Sequence, residues 1–180
     1  MLRALRCEYE SMVKKRKMEM LYAVICYYRM PKFRVRVLVR WLTMTNSSYM
    51  KEKISNKLLI KYGMEISKNS EIGSNLRIEH YNGIVFGLGT KIGDNCTVYQ
   101  QVTIGQKNGE YPVIGNNVTI YPGARILGGI TVGDNSIIAP NSVVIHDVSD
   151  NDTVAGVPAK SIRREGRVLA NGKSEKEYCL

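Results

Sequence analysis

The chain has 180 residues, 44% of them hydrophobic, and a formal net charge of +10, enough for one compact domain with an appendage. The charge is uneven: residues 1–65 hold 15 Lys and Arg against 5 Asp and Glu, whereas residues 66–180 hold 11 of each. Four scattered cysteines (Cys7, Cys26, Cys96, Cys179) form no CxxC or Cys/His cluster, which argues against a disulfide framework or a zinc site, and the longest apolar run, nine residues from Met20 to Tyr28, is too short to span a bilayer.

Residues 2–29 are rich in good helix formers and read as a helix that Pro31 stops. The run Lys14-Lys15-Arg16-Lys17 reads as a solvated face. From Phe33 to Leu42 the alternation Phe-Arg-Val-Arg-Val suggests a strand, but the later apolar cluster and the spacing of Arg36 and Arg40 favour a helix. Such a basic amphipathic segment, with Trp41, has two readings: contact with an anionic membrane, or a cap packed on the open end of the neighbouring repeat. Thr45-Asn46-Ser47-Ser48 is a turn, with Ser47 or Ser48 capping a helix to about Tyr62.

The most ordered stretch runs from Ile66 to Pro158. Branched apolar residues recur at a step of six: Ile66, Ile72, Ile78 and Ile84; then Ile92, Val98 and Ile104; then Ile114, Ile120, Ile126, Val132, Ile138 and Val144. Two extra residues before Ile92 and four before Ile114 break the phase. A step of six is neither helical nor simple strand alternation. It fits short strands with a corner every six residues, three to a coil, the branched residue stacking inward on its equivalent in the next coil. Gly-Asp/Asn-Asn clusters (Gly93-Asp94-Asn95, Gly115-Asn116-Asn117, Gly133-Asp134-Asn135) supply the corner conformations. The expected fold is an all-β solenoid, a parallel β-helix of about five coils with an α-helical N-terminal region. The expected division is a basic helical region over 1–64, the solenoid over 65–164 and a loose polar tail over 165–180.

The chain has only two histidines. His80 lies in Ile78-Glu79-His80-Tyr81-Asn82-Gly83-Ile84-Val85-Phe86-Gly87, and from the residues alone it is either a surface side chain or a base. His146, in Val144-Ile145-His146-Asp147, reads as structural. The repeat and the His80 stretch resemble those of the hexapeptide-repeat acyltransferases, the serine acetyltransferases in particular, with Gln101-Val102-Thr103-Ile104-Gly105 and Val154-Ala155-Gly156-Val157-Pro158 as further matches in the same order.

That resemblance implies left-handed coils, a homotrimer with the active site between subunits, and direct acetyl transfer from acetyl-CoA to an alcohol, without metal or covalent intermediate. His80 falls on the general base, a role that a neutral imidazole suits. Glu65 and Glu79 stand where the family carries Asp, and each is a candidate for orienting the base. A backbone N–H near Gly105 is implied for the thioester oxygen. Gly105-Gln106, Pro122-Gly123 and Ala139-Pro140 match the positions that lie along CoA, and Lys160, Arg163 and Arg164 are candidates for its phosphates.

The acceptor is where the chain departs from the family pattern. Serine acetyltransferases carry an Arg-His pair before a proline, and here Glu110 and Tyr111 precede Pro112. A carboxylate facing the carboxylate of serine is repulsive, so the reading from sequence is a saccharide hydroxyl, as in capsule and exopolysaccharide O-acetyltransferases, with serine as the alternative. That reading places the protein in the cytoplasm, at the inner membrane face, its basic N-terminal region against anionic lipid. A β-helical carbonic anhydrase is excluded by the want of a third histidine. A nucleic-acid module finds no recognition motif. A non-catalytic membrane- or partner-binding scaffold is the rival from another class.

Overall fold

The computed structural model describes Met1, Ala4 and residues 27–164 and 167–168. The helix expected over 2–29 therefore lies mostly outside the described residues; Ala4 and residues 27–29 are helical. The helical stretch at 27–29 ends before Pro31 as expected, with Met30 extended, and Pro31 also begins the next helix: α1 spans Pro31–Met44, with the proline in its first turn, where a missing N–H costs nothing. The Phe33–Leu42 stretch is thus helical. Its alternating valines are buried because α1 is enclosed on more than one side, burying Phe33, Val35, Val37, Leu38, Val39 and Leu42.

Helix α2 spans Ser48–Tyr62. The Ser47 hydroxyl accepts from the Met50 N–H at 3.4 Å, and Gly63 closes the C-terminus in the left-handed conformation (φ 61°). Both helices share one core with the first coil: Leu38, Leu42, Ile54 and Leu58 join the cluster that includes Ile66 and Ile78, and Trp41 packs against it. They cap the solenoid, so the segment read as either membrane helix or cap is the cap. No helix among the described residues is long and apolar enough to cross a membrane.

The solenoid has three faces. The first stacks Glu65–Ile66, Val85–Phe86, Thr103–Gly105, Arg125–Leu127 and Val143–Val144. The second stacks Glu71–Ile72, Lys91–Ile92, Val113–Ile114 and Thr131–Val132, with Val148 bridged below Val132. The third stacks Arg77–Ile78, Thr97–Val98, Thr119–Ile120, Ile137–Ile138 and Asp152–Gly156. All of these pairs are parallel and in register, so that Ile78 lies over Val98, Ile120, Ile138 and Val154 in turn. An antiparallel hairpin, Ala159–Arg164, closes the end of the third face, and Arg167–Val168 adds to it, so the sheet runs past the boundary expected at 164.

One phase break lies elsewhere than the spacing suggested. The partner of Ile66 and Ile104 is Phe86, not Ile84. The two extra residues therefore sit between Ile78 and Phe86, in the loop that carries His80. Ile84 kept the step of six because it too is fully buried, in a second inward slot two residues earlier, shared with Met64, Val102, Ala124 and Ser142 on the same face. Cys96 fills the corresponding slot on the third face.

The corner between the second and third faces is a ladder. Asn75, Asn95, Asn117, Asn135 and Asn151 all hold φ between 56° and 59°, which asparagine tolerates. Their amides join level to level at 3.1–3.2 Å, as in Asn75 to Asn95, Asn117 to Asn135 and Asn135 to Asn151. One residue earlier, Asp94 accepts from the Ser74 N–H and hydroxyl, which pulls its carboxyl below the usual range, and Asp134 accepts from the Asn116 N–H. These contacts leave no room for a side chain at the glycine that leads each corner. A Cβ on Gly93 would lie 2.6 Å from the Gly115 carbonyl oxygen.

Gly93→Ala should therefore lower stability by about 1–3 kcal/mol, measured by urea denaturation, because the level that carries Gly115 and Asn116 must shift. Burial raises the pKa of the Cys96 thiol, so the folded chain holds that proton at higher pH than the unfolded chain. The stability this contributes is present below about pH 8.5, the ordinary thiol pKa, and declines as pH rises beyond it. Peptide mapping should find Cys96 unlabelled by a thiol reagent at pH 7 unless the chain is unfolded, and Cys96→Val should flatten the alkaline decline.

Candidate active site

The corner from the third face to the first carries His80. It leaves strand Arg77–Ile78, runs through Glu79-His80-Tyr81-Asn82-Gly83 and enters Val85–Phe86. Every other level turns this corner in fewer residues, so this loop alone stands out from the stack. Backbone bonds pin both its ends: the Glu79 N–H donates to Val98 O at 3.0 Å, the Gly83 N–H to Gly63 O at 2.9 Å, and the Gln101 N–H to Asn82 O at 2.9 Å. The His80 imidazole is exposed, and its ring lies 6.4 Å from that of Tyr99, which stacks on Tyr121 at 5.2 Å.

Neither carboxylate proposed as its partner touches it within the chain. Glu79 accepts from Arg77 Nη2 at 2.8 Å instead. Glu65 is exposed at the first strand of the first face, one strand above Val85, without a side-chain hydrogen bond. The residues matched to CoA fall on two edges. Pro122-Gly123 and Ala139-Pro140 lie below His80 on the same corner, consecutive levels joined by Asn141 N–H to Pro122 O at 2.9 Å. At roughly 4.8 Å per level, these positions line up along the solenoid axis. On the level next to that of His80, Gln100 is half-buried, and its side-chain oxygen is buried without a partner.

Gly105 ends its strand at the next corner, from first face to second. Unlike Gly93, it has room: an added Cβ would meet nothing closer than Leu127 Cδ2 at 3.5 Å. The packing of this chain does not itself demand glycine there. Gln106 is committed to the loop, its Oε1 accepting from the Gly109 N–H at 2.7 Å. Lys160 and Arg163 are exposed on the terminal hairpin, paired through the backbone with Ala155 and Thr153. The side chain of Arg164 lies outside the described residues. His146 is exposed at the last coil, and among the described residues no group of three His, Cys, Asp or Glu side chains is gathered to hold a metal.

The four-residue insertion forms a small hairpin bridged between Lys107 and Glu110, on the Gly105 edge. Tyr111 folds over Gly87 and Gly89, where a Cβ would come within 2.9 Å and 2.7 Å of its ring, and Glu110 lies over Gly129. Tyr111 thus helps to seat the hairpin, while Glu110 stays exposed, at a corner that His80 does not share within the chain. Sequence reasoning missed Tyr99, Tyr121 and Gln100. The signal is present, since Tyr99 and Tyr121 follow repeat positions Val98 and Ile120 as Glu79 follows Ile78, which places all three on one edge.

Comparison with known proteins fits this architecture. Residues 111–146 match the family described as bacterial transferase hexapeptide (six repeats). A serine acetyltransferase of Staphylococcus xylosus is 42% identical over 109 residues, covering 58% of this chain and 50% of that protein. One from Synechococcus elongatus is 34% identical over 153 residues, covering 81% of this chain and 62% of its own length. The chain therefore spans between half and under two thirds of these relatives. A solved serine acetyltransferase in complex with CoA superposes with a TM-score of 0.72 at 27% identity, covering 89% of this chain and 68% of that one.

These likenesses overturn the saccharide acceptor read from sequence, because the relatives are serine acetyltransferases. The physical reason is visible in the hairpin. The acceptor was read from Glu110 and Tyr111 as a pair facing the substrate, but Tyr111 is half-buried over Gly87 and Gly89, and only Glu110 is exposed. The coils are the left-handed β-helix of this group. The six-residue repeat, the three stacked faces and these matches together make the chain a member of the hexapeptide-repeat transferase superfamily.

Proposed function

We propose that the protein is an acetyl-CoA-dependent O-acetyltransferase whose acceptor is the hydroxyl of serine, with His80 as general base. The observation that carries this reading is the placing of His80: it stands on the one enlarged loop of an edge along which Pro122-Gly123 and Ala139-Pro140 follow at successive levels. The serine acetyltransferase relatives support the acceptor.

In this mechanism the neutral imidazole of His80 takes the proton from the serine hydroxyl as its oxygen attacks the thioester carbonyl. The tetrahedral oxyanion needs a donor, and a backbone N–H near Gly105 is assigned to it. Collapse breaks the C–S bond, and the imidazolium returns the proton to the departing CoA thiolate. No covalent enzyme intermediate forms. Glu65 and Glu79 remain the carboxylates available to stabilise imidazolium, Glu79 by exchanging its bond to Arg77. Lys160 and Arg163 are assigned to CoA phosphates as exposed cations.

His80 and Gly105 stand at different corners of one chain, so a site using both is completed by a second copy, and a homotrimer is part of the proposal. So is a cytoplasmic setting, in which Lys51, Lys53, Lys57 and Lys61 of α2 give the capped end a cationic surface suited to peripheral contact with anionic lipid.

His80→Gln should lower the rate of serine-dependent CoA release by roughly 10²–10⁴-fold, followed by thiol titration. A variant with wild-type turnover removes His80 from the chemistry. Gly105→Ala should leave the melting temperature unchanged and raise KM for acetyl-CoA about tenfold, since the added methyl occupies space that the fold leaves open. An unchanged KM would show that the cofactor does not approach this edge.

A further inference from the structure

An exposed general base on an enlarged loop needs something to hold it, and the His80 ring itself has no hydrogen bond or ion pair, only the loose contact with Tyr99. The restraint lies one residue on. Tyr81 is half-buried, and its ring meets that of Tyr62 edge to face, with centroids 5.7 Å apart and planes at 87°. Tyr62 is the last residue of α2 and only 7% exposed. The next residue, Gly63, turns left-handed and presents its carbonyl to the Gly83 N–H at 2.9 Å, while a Cβ there would approach Asn82 Oδ1 at 3.2 Å. Three consecutive positions of the loop, 81 to 83, thus lie against the C-terminus of one helix.

That helix end is itself fixed. Leu58 and Ile54 are in the core, and the Ser55 hydroxyl donates to Ile66 O at 2.7 Å, tying α2 to the first strand of the solenoid. The Tyr62 hydroxyl is buried and has no partner, so it is the ring, not a hydrogen bond, that acts at this contact. We infer that Tyr62 is a positioning residue for His80, acting through Tyr81: the cap helices do not merely cover the open end of the solenoid but set the direction of the base. This rests on the reading of His80 as the base. Displacing a reacting group by about 1 Å costs on the order of 10²-fold in rate, so the contact bears directly on turnover.

The test uses the full chain with Tyr62→Ala, Tyr62→Phe and Tyr81→Leu, the last leaving α2 untouched. Because the chain has two histidines, NMR of the imidazole protons resolves both, with His80→Gln supplying the assignment. In Tyr62→Ala and Tyr81→Leu the His80 signals should shift and broaden while those of His146 stay in place, and Tyr62→Phe should restore the wild-type spectrum. Turnover with L-serine should fall roughly 10–100-fold in Tyr62→Ala, with KM for acetyl-CoA within about twofold, and recover in Tyr62→Phe. Unchanged His80 signals in a folded Tyr62→Ala or Tyr81→Leu would overturn the inference, as would a loss of turnover that phenylalanine does not rescue. Should serine prove not to be turned over by the wild type, the functional reading fails, and the NMR comparison alone decides the positioning role.

Discussion

The structure depends on one constraint: each coil must lie in register on the next, because no coil buries its apolar residues alone. Ile66, Phe86, Ile104, Ile126 and Val144 form one inward column, Ile78, Val98, Ile120, Ile138 and Val154 another, and a slip of one residue would turn every one of them outward. The glycine, aspartate and asparagine ladder at the second corner enforces the same register through backbone and side-chain bonds. The faces therefore cannot vary, and the freedom to build a site is left to the corners. Both enlargements, the loop at 79–83 and the hairpin at 106–111, occur there.

Much of this was legible as pattern. Thirteen apolar residues at a step of six are a direct image of inward columns, and the Gly-Asp-Asn clusters mark corners because few residue types accept those angles. Where the pattern misled, a second physical requirement had the same appearance. Ile84 kept the count because a face of the solenoid has two inward slots at each level, and only pairing distinguishes Ile84 from Phe86. The alternation at Phe33–Val37 looked like a strand because a helix packed on several sides also buries valines two apart.

The shared edge of the candidate site was legible, since His80, Pro122 and Pro140 each follow a repeat position by two residues. What surrounds the base was not. Tyr62 is eighteen residues from His80 in sequence and reaches its loop only because α2 ends over the first coil. The acceptor was misread for a related reason. Glu110 and Tyr111 were weighed as a pair free to face a substrate, whereas Tyr111 packs against Gly87 and Gly89 and only Glu110 is exposed. A substitution within a recognition motif indicates a new ligand only when the side chain is free to meet it.

The central claim is the transfer of an acetyl group to the serine hydroxyl, and the most direct measurement is the identity of the product. The purified chain is incubated with L-serine and acetyl-CoA labelled in its acetyl group, and the amino acid is recovered and analysed by tandem mass spectrometry. The account predicts labelled acetyl on the serine side-chain oxygen, formed in proportion to the CoA released. Labelled acetate with unmodified serine, or label recovered only on another acceptor supplied in the same mixture, would contradict it.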